Sequence, residues 1–170
     1  MATYPMTTAA QWIRSLKLLP HPEGGFYREV YRSEETLPRK ALPSRYSKPR
    51  SISTSIFYLL RGRDCSRFHR LASDELWHFH AGSALTLHVI TPQGRYQARH
   101  LGGTGRGGQS PQVIIPRHHW FAATVDTPRR YTLAGCTVAP GFDFADFEMA
   151  DPATLLRLCP EKAALIRRLT

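Results

Sequence analysis

Between residues 52 and 138 the chain divides into short runs rich in β-branched and aromatic residues, and this rhythm constrains its fold more than any other feature. The runs cover 52–60, 75–80, 84–90, 96–101, 112–115, 120–125 and 131–138. Turn signals part them: Arg61-Gly62, Pro92-Gln93-Gly94, the glycine-rich stretch 102–108 and Pro128. Strand-like runs spaced by turns every roughly 8–12 residues predict an all-β sandwich or barrel, not a βαβ sheet. A further extended segment through Phe26, Tyr27, Val30 and Tyr31 follows the turn residues Pro22, Gly24 and Gly25.

Helices are expected to bracket this core. Thr8 and Gln11 form a capping-box pattern, and Trp12, Ile13, Leu16 and Leu19 recur at helical spacing, which predicts a helix over about 8–19. At the other end, Asp151-Pro152 sets an N-cap before proline at the first helical position, predicting helix over about 152–168 with an interruption at Pro160. With 170 residues, the chain reads as one domain, its barrel core at about 23–148. The run Gly102–Gly108 lacks the Gly-Lys-Ser/Thr ending of a phosphate loop and precedes Pro111 and a β-like run, so it reads as a hairpin loop.

Composition excludes several classes. No stretch approaches the roughly 18 apolar residues of a membrane-spanning helix, and MATYPMTTAAQW lacks the basic and apolar regions of a secretory signal. Cys65, Cys136 and Cys159 are odd in number and scattered, which points to buried thiols in a reducing compartment, the cytoplasm. The net charge of +10 raises the question of nucleic acid. Its basic residues are spread along the chain, however, and the one cluster, from Arg39 to Arg50, is interrupted by proline and serine, so no nucleic-acid partner is expected.

Chemistry-bearing side chains concentrate in the segment from Ser66 to Gly82. His69, Glu75 and Gly82 stand at the spacings of a motif HxHx(3–4)E followed by six residues and glycine, and Pro116 opens a segment that aligns with PxGx(2)H. In these motifs, and in Pro20-His21-Pro22-Glu23-Gly24-Gly25-Phe26-Tyr27 and Val138-Ala139-Pro140-Gly141-Phe142-Asp143-Phe144, the chain resembles the cupins, in particular the small single-domain group called cupin family five, whose function is unknown. That resemblance implies an RmlC-like jelly-roll barrel, commonly a homodimer, with a ligand pocket inside. Three positions depart from the motifs. Leu71 stands for the second histidine, Phe121 for the histidine of the second motif, and His118 for its glycine.

Cupin metal centres use three histidines and a glutamate, and only His69 and Glu75 remain of that set. The expectation is therefore no cofactor, with a divalent metal held by His69, Glu75 and His119 as the alternative. Strand alternation places Glu75, Trp77 and Phe79 on one face, and Leu76, His78 and His80 on the other. Trp77, Phe79 and Phe121 are the expected walls of a pocket for a small molecule, with His69 as base and Glu75 orienting it. Isomerisation or epimerisation of a carbohydrate-like ligand follows by analogy with metal-free cupin epimerases. A metalloenzyme and a non-catalytic binding or sensing domain stay open beside it. His78 and His80 read as packing residues. Glu23 and Glu29 either reach the pocket mouth or pair with Arg28 or Arg32, and Asp143 and Asp146 are expected to fix a turn.

Overall fold

A computed structural model describes residues 7–170; the segment read for a secretory signal lies partly outside them. In chain order the strands are β1 (Leu19–Pro20), β2 (Phe26–Arg32), β3 (Thr36–Leu37), β4 (Arg50–Ser51), β5 (Thr54–Arg61), β6 (Cys65–Leu71) and β7 (Asp74–Gly82). There follow β8 (Leu85–Ile90), β9 (Tyr96–Leu101), β10 (Gln109–Ser110), β11 (Gln112–Ile115), β12 (Trp120–Val125), β13 (Tyr131–Ala139) and β14 (Phe147–Met149). Helix α1 (Ala9–Ser15) precedes them, and α2 (Pro152–Leu158) and α3 (Ala163–Leu169) close the chain.

Two six-stranded sheets carry the fold, in the orders β1-β2-β5-β13-β7-β11 and β10-β9-β8-β12-β6-β14. From β5 to β8, and again from β10 to β14, successive strands alternate between them, as in a jelly roll. The sheets face each other as a sandwich and are not hydrogen-bonded into a closed cylinder. Between them, inward residues such as Tyr58, Leu60, Trp77, Leu87, Ile115, Phe121 and Ala123 form the central core.

Each sheet also has helical cover, which explains strands buried on both faces. In β12, Phe121 and Ala123 point inward while Trp120 and Ala122 pack beneath Leu155, Ile166 and Leu169 of α2 and α3. On the other sheet, Leu59 and Leu133 are covered by Trp12, Ile13 and Leu16.

Helix α1 begins as expected, with the Thr8–Gln11 capping box, but ends earlier than residue 19. Lys17 adopts a left-handed backbone (φ 52°), the Leu18 N–H returns to the Ile13 carbonyl, and Leu19 pairs with Tyr27 as a strand. Leu19 satisfied the helical period, yet its neighbour Pro20 cannot continue a helix. The C-terminal helical region is interrupted by a single 3-10 turn, Pro160–Lys162. Among the described residues no helix is long and apolar enough to cross a membrane.

Candidate functional site

The turn before β2 delivers a carboxylate to the interior. Gly24 (φ 114°) lies so close to β6 that a Cβ would meet the Cys65 carbonyl at 2.1 Å, so only glycine allows this approach. The Arg67 N–H donates to the Glu23 carbonyl (2.9 Å) and the Tyr58 hydroxyl to the Gly24 carbonyl (2.7 Å), pinning the turn against both sheets. Glu23 is left only 5% exposed.

Strand β6 supplies its partners through a bulge. Pairing with β12 runs Phe121 to His69 and then Ala123 to Ser66, a register shift that turns both Ser66 and His69 toward Glu23. Ser66 Oγ donates to Glu23 Oε1 at 2.9 Å, and His69 Nε2 lies 3.1 Å from Glu23 Oε2. His69 Nδ1 is 2.7 Å from the Arg67 carbonyl, an acceptor, so Nδ1 carries a proton. The contact at Nε2 therefore also requires a proton, shared between imidazole and carboxylate. His21 stands beside this pair, its Nδ1 accepting from the Glu23 N–H and lying 3.6 Å from Glu23 Oε2. Burial lowers the His21 pKa, Glu23 opposes the shift, and His69 adds to it.

Glu75, the second residue of β7, points into the same space and is 7% exposed. It makes no hydrogen bond to His69. Its Oε2 has no partner, and neither does Trp77 Nε1. Burial pushes the Glu75 carboxyl up to about 8, the negative charge of Glu23 pushing the same way, against smaller opposing effects of Trp77 and Cys136. Burial likewise raises the Cys136 thiol and the Tyr58 hydroxyl well above their usual ranges.

These groups line one cavity of about 490 Å³. Tyr27, Tyr58, Trp77, Phe142, Phe144 and Phe147 form its aromatic walls, and Leu71, Ile56 and Val138 its aliphatic ones. At the solvent-exposed end Glu29 and Arg32 form a two-fold hydrogen-bonded pair (2.9 and 2.7 Å), and Arg32 also donates to the Phe142 carbonyl. Asp143 accepts from the Ala145 N–H, and Asp146 is held by Arg50 at 2.6 and 2.7 Å, anchoring the segment that carries Phe142 and Phe144.

Of the residues selected from the sequence, His69, Glu75 and Trp77 border the cavity. Phe121 backs it: its ring centroid is 4.1 Å from that of His69, holding the imidazole from behind. Phe79 faces inward but lies outside the cavity, because the loop at Gly103 closes on its ring. His119 does not border it either. His118 adopts a left-handed backbone (φ 63°), and in this turn His119 leans on the Arg117 carbonyl. His78 and His80 lie on the outer face, near Thr137 and Phe57. Glu29 pairs with Arg32, whereas Glu23 enters the interior instead of pairing with Arg28, a role that no local spacing signals.

A three-histidine, one-glutamate metal centre does not fit these residues. Leu71 puts hydrocarbon on the wall, the Phe121 ring presses on His69, and both His69 nitrogens are engaged. Among the described residues no group of three His, Cys, Asp or Glu side chains is placed to hold a metal ion.

Two facing sheets of jelly-roll order around an interior cavity are the architecture of the cupins. The sequence model of the family described as Cupin superfamily (DUF985) matches residues 10–150, and the chain belongs to that family. It is similar to a Shewanella oneidensis protein of known crystal structure, at 39% identity and TM-score 0.86, over 97% of this chain and 98% of that one. A hypothetical protein from Leishmania major is similar at 36% identity and TM-score 0.86, over 96% and 99% of the two chains. An uncharacterised protein of Saccharomyces cerevisiae shares 26% identity over 94% of this chain and 85% of its own length. Oxalate decarboxylase from Bacillus subtilis, at 11% identity and TM-score 0.53 over 89% of this chain and 36% of its own, shares the fold alone.

Proposed function

We propose that the cavity binds a small, partly apolar or carbohydrate-like molecule and moves a proton on it without a metal, as an isomerase or epimerase does. The observation that carries this reading is the contact between Glu23 Oε2 and His69 Nε2 at 3.1 Å, on a wall shared with the unpartnered carboxyl of Glu75. Two carboxyl groups in one site, one held by donors and the other forced toward its neutral form by burial, divide into base and acid. Both His69 nitrogens are engaged, so His69 positions Glu23 and shares its proton, while Glu23 is the group available to abstract one. Glu75 supplies a proton instead of orienting His69. The aromatic walls exclude water and hold the apolar part of the ligand.

The test is a panel of neutral sugars and hydroxy-carbonyl compounds incubated with protein in deuterated water. Incorporation of deuterium next to the carbonyl, lost in both Glu23→Gln and Glu75→Gln while their melting temperatures hold, supports the reading. Elemental analysis of protein purified without a chelating column is its companion: stoichiometric metal that vanishes in His69→Ala contradicts a metal-free site.

A further inference from the structure

The wall around Glu75 restricts the charge of what the cavity accepts. Glu75 Oε2 meets no donor, and a buried ionised carboxylate without compensation costs several kcal/mol, so the group stands as a neutral acid with one donor and one acceptor to offer. Around it the wall is poor in available positive charge. Any charge on His69 is balanced by Glu23. His21 is kept toward its neutral form by burial, its Nδ1 already accepting from the Glu23 N–H. Arg32, the one guanidinium among the described residues lining the cavity, holds both oxygens of Glu29 and the Phe142 carbonyl. A ligand carboxylate or phosphate would thus enter a cavity lined by four carboxyl groups, those of Glu23, Glu29, Glu75 and Asp143, and by no uncommitted cation among the described residues.

We propose that the cavity selects uncharged ligands, with Glu75 pairing to a ligand hydroxyl, carbonyl or amide, and rejects anions of the same shape. The proposal rests on reading the cavity as a ligand site, and adds the charge class and the anchoring residue.

Benzyl alcohol and benzoate share a ring that suits aromatic walls and differ in charge, so they serve as probes. Binding is followed by the methyl NMR signals of Ile56 and Val138, which line the cavity. Benzyl alcohol is expected to move these signals saturably, and benzoate to bind at least about tenfold more weakly. Glu75→Gln keeps a donor and an acceptor and should bind the alcohol within about threefold of the parent, whereas Glu75→Leu should lose about tenfold. Benzoate binding as tightly as the alcohol, or unchanged alcohol binding in Glu75→Leu, overturns the charge selection and leaves the cavity reading standing. If neither probe moves either signal, both fall.

Discussion

Glu23 and His69, 46 positions apart in the chain and both buried, share a proton across 3.1 Å on the wall of the cavity. The turn at Gly24 and the bulge in β6 each contribute one partner, so the pair exists only when both sheets are assembled.

The pair should behave as a coupled unit. In urea unfolding, a double-mutant cycle of Glu23→Gln and His69→Gln should give an interaction energy of about 1–3 kcal/mol. Ser66→Ala, which removes the second donor to Glu23, should cost about 1–2 kcal/mol. Additive single mutants would mean that the two side chains do not share the proton.

Gly24→Ala should destabilise by about 2 kcal/mol or more, because its left-handed backbone and the Cys65 carbonyl leave no place for a methyl group. The loss should extend to the site: displacing the turn draws Glu23 away from His69. A stability unchanged from the parent in chemical denaturation would contradict the placement of this turn.

Glu75 makes the fold less stable as pH rises. Its folded pKa of about 8 lies above its ordinary 4.5, so the folded state binds the extra proton between those values. Stability contributed by this group is complete below 4.5, is lost as pH climbs toward 8, and then levels off. Glu75→Gln should therefore raise unfolding stability at pH 8 by roughly 2–4 kcal/mol and flatten this slope. An equal pH slope in the parent and Glu75→Gln would count against it.

His88 sets the opposite limb. The residue is 8% exposed, with Nδ1 at 2.9 Å from the Tyr96 hydroxyl and Nε2 at 2.9 Å from Thr124 Oγ1. Burial, aided by Arg168, lowers its pKa from 6.5 to about 4. The folded state thus refuses a proton that the unfolded chain accepts, so stability present above 6.5 is lost as pH falls toward 4. Thermal melts of His88→Gln and the parent between these values should converge as pH drops, the difference closing by about 2–3 kcal/mol.

Much of the fold was legible because β-branched runs and turn residues alternate at sandwich spacing, and because the capping box at Thr8 and the Asp151-Pro152 pair mark helix starts by local chemistry. The end of α1 was not, since Leu19 fits a helical period while its backbone pairs with Tyr27. Strands β10 and β14, of two and three residues, are too short to show a period. At the site, His69 and Glu75 stood out through motif spacing. Glu23 did not, because its contacts with Ser66 and His69 are long-range and depend on a bulge that turns Ser66 to the face of His69. Strict alternation puts those two residues on opposite faces. Phe79 obeys alternation, but which inward residues border a cavity and which are packed over depends on a loop that closes from elsewhere.

The chemistry of the cavity turns on one opposition, between a carboxylate held by donors at Glu23 and an uncharged carboxyl at Glu75. Its most direct test is a carbon-13 NMR titration of the Glu75 carboxyl in the folded protein, assigned with Glu75→Gln. The arrangement predicts a resonance that keeps the position of the protonated acid through neutral pH and moves near 8. A transition in the ordinary carboxylate range near 4.5 would contradict it.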